Sequence, residues 1–201
     1  NTASAKALRT IQQNDLLKKF PGKKILGVIR PTTEIIGNYS KTKHVGILAT
    51  HGTVNSNSYA IEIDKFFPDA IVVQQACPML VPLIENNEFE NEAADYFIQK
   101  YLHELMQQDD KIDAILLACT HYPLIKKRIE KFLPGDVEVL AQGEIVAASL
   151  KDYLQRHTEI ESLLSKNKSI QFYTTDSTED FNNHATIFYG EKVQSQLVEL
   201  N

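Results

Sequence analysis

Ala114-Ile115-Leu116-Leu117-Ala118 is apolar at every position and stops on Cys119-Thr120-His121-Tyr122-Pro123. So short a run reads as a strand covered on both faces, and Pro123 suits the first turn of a helix behind it. The same succession of a β-branched run and then an amphipathic stretch recurs along the chain. Strands are expected at 25–29, 44–49, 70–74, 114–118, 137–140 and 169–173, and helices at 2–17, 32–39, 56–66, 80–86, 92–107, 124–132, 144–155 and 177–188. Strands joined by crossover helices make the fold class α/β with mostly parallel sheets. Within 92–107, Ala93, Ala94, Phe97, Tyr101 and Leu105 recur at helical spacing and predict one buried stripe.

Three strand ends carry strongly patterned residues: Ala49-Thr50-His51-Gly52-Thr53, Ala76-Cys77-Pro78 and Ala118-Cys119-Thr120-His121. Ligands of open parallel sheets bind beyond the carboxyl ends of the strands, so these loops are expected to share one sheet edge. The polar stretch 156–168 reads as a surface excursion, and no internal repeat is evident.

Composition narrows the classes further. With 201 residues, 43% hydrophobic and 23% charged, the chain can bury the core of one large domain or two small ones. A formal charge of -5 argues against a nucleic-acid surface, which needs clustered Lys and Arg; Lys23-Lys24 and Lys126-Lys127-Arg128 read as solvated faces. No apolar run approaches the roughly 20 residues that span a bilayer, so a cytoplasmic protein without membrane contact is expected. Two cysteines, Cys77 and Cys119, make neither a disulfide framework nor a CxxC pair.

Cys119 is the residue with the most chemistry around it. Its place between a strand and a helix start puts the sulfur near helix-end N–H groups, which lower a thiol's pKa from about 8.5 toward neutrality. Thr120 adds a hydroxyl and His121 an imidazole. On chemistry alone, a reactive thiol and a small buried cysteine are equally good readings. No arginine closes a phosphate loop after Cys119, and Cys119 and His121 with a distant Cys77 or His51 have no recognised zinc spacing.

A family resemblance resolves the tie. Ala118-Cys-Thr-His-Tyr-Pro-Leu-Ile125 resembles the second cysteine motif of glutamate racemases, in the aspartate/glutamate racemase family. Asn1-Thr-Ala-Ser-Ala5 resembles the residues just after that family's first catalytic cysteine, Ala49-Thr-His-Gly-Thr-Val-Asn-Ser56 its Thr-rich loop, and Ala76-Cys-Pro-Met-Leu-Val-Pro-Leu-Ile-Glu85 its Cys-Pro segment. Aspartate racemases are similar but usually carry an acidic residue after the second Cys-Thr, where this chain has His121.

The resemblance implies two three-layer α/β domains, one at 30–140 and an incomplete one made of 1–29 with 141–201. The family's first cysteine would stand immediately before Asn1, so the chain is expected to lack the N-terminal part that carries it. It implies L- and D-glutamate as partners, no cofactor and no metal; a homodimer is compatible with it. Cys119, His121 and Glu85 would be catalytic, Cys119 as one of two proton-transferring thiols. Asn1, Thr2, Thr50, Thr53 and Thr120 would bind substrate, although Thr50, Thr53 and Thr120 also suit plain helix caps. The expected role is supply of D-glutamate for peptidoglycan. The competing readings are a noncatalytic fragment or binding module of the fold, and a related racemase acting on aspartate or a hydantoin.

Overall fold

A computed structural model describes residues 1–200. The chain forms two compact units, Asn1–Tyr153 and one beginning at Leu154. The first opens with a broken helical series, α1 (Thr2–Lys6), α2 (Leu8–Thr10), a π turn (Ile11–Asp15) and α3 (Leu16–Lys19), where one helix was expected. α4 (Ile29–Thr33) and a 3₁₀ turn (Ile36–Asn38) lead to β1 (His44–Ala49). α5 (His51–Asn55), α6 (Ser58–Phe66), β2 (Ile71–Ala76), α7 (Leu80–Glu85), α8 (Glu92–Gln108) and β3 (Ala114–Leu117) come next. A 3₁₀ turn (Tyr122–Ile125), α9 (Lys126–Lys131), β4 (Glu138–Ala141) and α10 (Gln142–Arg156) complete the sequence, with the division between units falling inside α10.

The four strands are all parallel, in the order β2-β1-β3-β4. Pleating sends alternate residues to opposite faces. Val45, Ile47, Ala49, Ala114, Leu116 and Leu140 form one core with Ile29, Tyr59 and Ile63 from α4 and α6. Leu48, Ile115, Leu117 and Val139 form the other with Ile84, Ile98, Leu102, Leu105 and Ile129 from α7, α8 and α9. Burial on both faces explains why 45–49 in β1 and 114–117 in β3 carry no polar side chain, each large side chain contributing about 1.5–3 kcal/mol, whereas the half-buried β2 carries Gln74 and Gln75. Gly46 lets α8 come close, since a Cβ there would lie 2.8 Å from Leu105 Cδ2.

α8 begins where Asn91 accepts the Ala94 N–H at 3.0 Å, with Glu92 and Asp95 in its first turn. Its buried stripe is Ala94, Ile98, Tyr101, Leu102 and Leu105; Ala93 is exposed and Phe97 only half-buried. The helix therefore faces the sheet slightly rotated from the expected stripe. Residues 25–29 also depart from expectation, because no strand forms there and Ile29 opens α4. A β-branched run becomes a strand only beside a ladder partner. Here the Ile25 carbonyl accepts instead from the Gln12 side-chain amide at 2.7 Å, and Gly27 lies against Leu8 of α2.

At the amino ends of the strands, loops are tied down by carboxylates. Asp113 accepts from the Ser40 hydroxyl at 2.5 Å and from the Lys41 and Thr42 N–H groups at 2.8 and 2.9 Å. Asp109 lies 2.6 Å from His44 Nδ1 and accepts the Lys111 N–H at 3.0 Å. Burial works upward on both acids, but these hydrogen bonds outweigh it and hold both below the usual carboxylate range.

The second unit contains α11 (Thr158–Glu161), β5 (Phe172–Thr174), α12 (Thr178–Tyr189) and β6 (Ser195–Leu197). β5 and β6 pair in parallel with α12 as their connection, and Ser177 caps α12 by accepting the Asp180 N–H at 3.2 Å. The strand expected at 169–173 is shifted toward the C-terminus, and β6 was not foreseen.

Candidate active site

Strand order decides where a site can be. From β1 the chain winds outward to β2, then crosses back over β1 to β3, so the direction of winding reverses between β1 and β3. A crevice opens at such a switch point beyond the strands' carboxyl ends. Thr50 and His51 follow β1 there, Cys119 follows β3, Cys77 follows β2 and Gln142 follows β4. The three patterned loops thus share one sheet edge, as expected.

Cys119 is 6% exposed, with its Sγ 3.7 Å from His121 Nδ1. His121 Nε2 lies 2.9 Å from Oε1 of Glu85, the half-exposed last residue of α7. Thiol, imidazole and carboxylate form a continuous chain in which a proton leaving sulfur can pass to the ring while Glu85 accepts from the ring's other nitrogen. Burial pushes the Cys119 thiol above its ordinary pKa, against the backbone N–H groups of His121 and Tyr122, which favour the thiolate. The lowering expected from a helix start is therefore overridden: desolvation of a nearly enclosed sulfur is the larger effect.

A second group is built of hydroxyls. Thr2 Oγ1 is 2.9 Å from Thr50 Oγ1 and 3.2 Å from Thr53 Oγ1, and the latter two are 3.3 Å apart. Thr50 occupies the N-cap position of α5, yet its side chain does not cap. Capping is thus not the role of the Thr50 hydroxyl. Close approach of α1 to α5 depends on Gly52, where a Cβ would stand 2.8 Å from Thr2 Cγ2. Asn1 is held beside Thr2 by the Tyr59 hydroxyl, which donates to Asn1 Oδ1.

The structure therefore gathers Cys119, His121 and Glu85 into one set and Asn1, Thr2, Thr50 and Thr53 into another. Thr120 is exposed and adjoins the first through the chain alone. Cys77 is fully buried, its thiol pushed far up by burial, and its carbonyl accepts the Tyr122 hydroxyl at 3.2 Å. Among the described residues no group of three or more His, Cys, Asp or Glu side chains is arranged to hold a metal ion, and no helix is long and apolar enough to cross a membrane.

Tyr59, Gln142 and Thr32 were not singled out from the sequence. Gln142 donates to the Tyr59 oxygen at 2.6 Å and to Thr32 Oγ1 at 3.1 Å, all three buried. The rule that placed Cys119 would have found Gln142, which directly follows a strand; Tyr59 carries no such signal because its helical spacing reads as core.

The Asp/Glu/Hydantoin racemase family model matches residues 15–150. Glutamate racemase of Aquifex aeolicus is 32% identical over 197 residues, which cover 98% of this chain and 70% of that protein. Glutamate racemase of Aquifex pyrophilus is 39% identical over 155 residues, 77% of this chain and 56% of that protein. Among solved structures, a Bacillus anthracis glutamate racemase matches with a TM-score of 0.85 at 28% identity, over 99% of this chain and 71% of that one. The Francisella tularensis glutamate racemase in complex with D-glutamate gives 0.83 at 29% identity, over 100% and 71%.

Proposed function

This chain belongs to the Asp/Glu/Hydantoin racemase family, and from that membership we propose that it interconverts L- and D-glutamate by cofactor-independent proton transfer. What supports the reading most is the Cys119–His121–Glu85 chain standing at the same sheet edge as the Thr2, Thr50 and Thr53 hydroxyls. Racemisation requires one group to take the α-proton and another to return a proton to the opposite face. Cys119 is one of these groups. The other is proposed to be the thiol that the resemblance places immediately before Asn1.

Burial favours Cys119 in its thiol form, so in the resting site it is the proton donor. It protonates the carbanion that the opposing thiolate has generated, and the sulfur is left as a thiolate. In the reverse direction the Cys119 thiolate takes the α-proton and the opposing thiol gives one up. His121 accepts or returns the sulfur's proton between turnovers, and Glu85 holds the imidazole in register. Each of Thr2, Thr50 and Thr53 has one O–H to give; in the absence of substrate they satisfy one another, and an incoming carboxylate draws them to itself. Asn1 and Thr120 complete the contacts to the amino acid's polar groups. These donors, with water excluded, stabilise the carbanion.

The same proposal includes a cytoplasmic protein that supplies D-glutamate for peptidoglycan, a homodimeric state, and a division into a domain at 30–140 and another containing 1–29 and 141–201. The test of activity is incubation of the full chain with each L-amino acid in deuterated water. Exchange at the α-carbon of glutamate together with appearance of the D-enantiomer is expected. Faster exchange on aspartate or a hydantoin would replace glutamate as substrate, and glutamate binding without exchange would make the protein a noncatalytic module.

A further inference from the structure

We propose that Tyr59 and Gln142 are positioning residues that fix the Asn1 side-chain amide with its NH₂ group turned to the substrate. The inference rests on the racemase reading, in which Asn1 contacts the amino acid.

An asparagine amide can present either its oxygen or its nitrogen, and a carboxylate accepts only from the nitrogen. At Asn1 a one-way chain of hydrogen bonds settles that choice. The Gln142 Nε2 group donates one proton to the Tyr59 oxygen at 2.6 Å and the other to Thr32 Oγ1 at 3.1 Å. Thr32 passes its own proton on to the Val28 carbonyl at 3.5 Å. With its oxygen receiving from Gln142, Tyr59 directs its O–H to Asn1 Oδ1.

Tyr59 and Thr32 are 0% exposed and Gln142 is 7% exposed, so water does not stand in for a missing member. Burial also keeps the phenol protonated. The chain reaches from the residue after β4 through α6 to the residue before α1, and among the described residues Asn1 Nδ2 donates to none. Neither Tyr59 nor Gln142 touches the reacting atoms on this arrangement; they act through Asn1.

Tyr59→Phe removes one oxygen and keeps the ring. In the active full chain it is expected to raise KM for both glutamate enantiomers about tenfold and to change kcat by less than about threefold, because an aligned donor holds ground state and transition state alike. In an Asn1→Ala background the same substitution should have no further effect on KM, since residues acting in series are not additive. Gln142→Met should raise KM in the same direction by about threefold, and it serves if the phenylalanine variant folds poorly.

An unchanged KM in both variants, or an equal rise with Asn1 already removed, overturns the proposal. The Asn1 side-chain amide resonances in substrate-free protein read the chain without turnover. They should shift in Tyr59→Phe, and resonances that stay in place also overturn it. Wild-type turnover of glutamate tests the activity reading separately.

Discussion

Both ends of the four-stranded sheet are polar, and their polarity is of opposite kinds. At the amino end, carboxylates are surrounded by donors: Asp113 holds the Ser40 hydroxyl and two backbone N–H groups, and Asp109 lies against His44. At the carboxyl end, hydroxyls face hydroxyls, and a thiol faces an imidazole whose other nitrogen lies against Glu85. A carboxylate enclosed by donors is at its energetic best as it stands and fastens loop to strand. Hydroxyls that pair with one another can be redirected by a charged newcomer. The same sheet thus carries a clamp at one end and a rearrangeable surface at the other.

Substitutions at the two ends should therefore fail in different assays. Cys119→Ser is expected to cost the most, lowering glutamate racemisation by about 10³-fold or more with thermal unfolding little changed, as read by polarimetry and calorimetry. Near-normal turnover in that variant would break the contrast at its centre. His121→Gln should lower kcat by about 10²-fold and leave folding intact, because it interrupts proton movement between Cys119 and Glu85. Asp113→Ala should do the reverse, costing roughly 2–3 kcal/mol in a denaturant titration without moving KM, since it leaves the Ser40 and Thr42 donors unmatched.

The smallest effect is also the sharpest: the two ends titrate in opposite senses. Asp109 and Asp113 have depressed folded pKa values, so the stability they contribute is complete above the ordinary carboxylate range and is lost as pH falls through it toward the folded values. Cys119 has a raised value, so its contribution is complete below the ordinary thiol pKa and is lost as pH rises through it. Denaturant midpoints measured across pH should fall at both extremes. Asp113→Ala should flatten the acid limb and Cys119→Ser should soften the alkaline one.

The centre of the sheet was legible because β1 and β3 are buried on both faces, and 45–49 and 114–118 show this as runs without a polar break. The run at 25–29 has the same composition but no neighbour to pair with, and pairing is a property of the fold that no local pattern carries. β6 failed in the other direction: Ser195-Gln196-Leu197 is a strand only because β5 lies beside it. At the site, Cys119, His121 and Glu85 were found from motif and resemblance, and the structure brings them within reach of one another. Tyr59 was invisible because its ring belongs to the core while its hydroxyl faces the site region. The direction of the Cys119 shift was not legible, because the N–H groups near a sulfur can be placed from sequence whereas the water removed from it cannot.

Gly52 links these observations to mutational tolerance. A side chain at that position would press on the Thr2 methyl group, and the methyl shares its carbon with the hydroxyl that meets Thr50 and Thr53. Turning the methyl away carries the hydroxyl with it. In a library of single substitutions scored only for soluble expression, changes at Gly52 would pass unnoticed, and a selection for growth that depends on the product would be the one to register them.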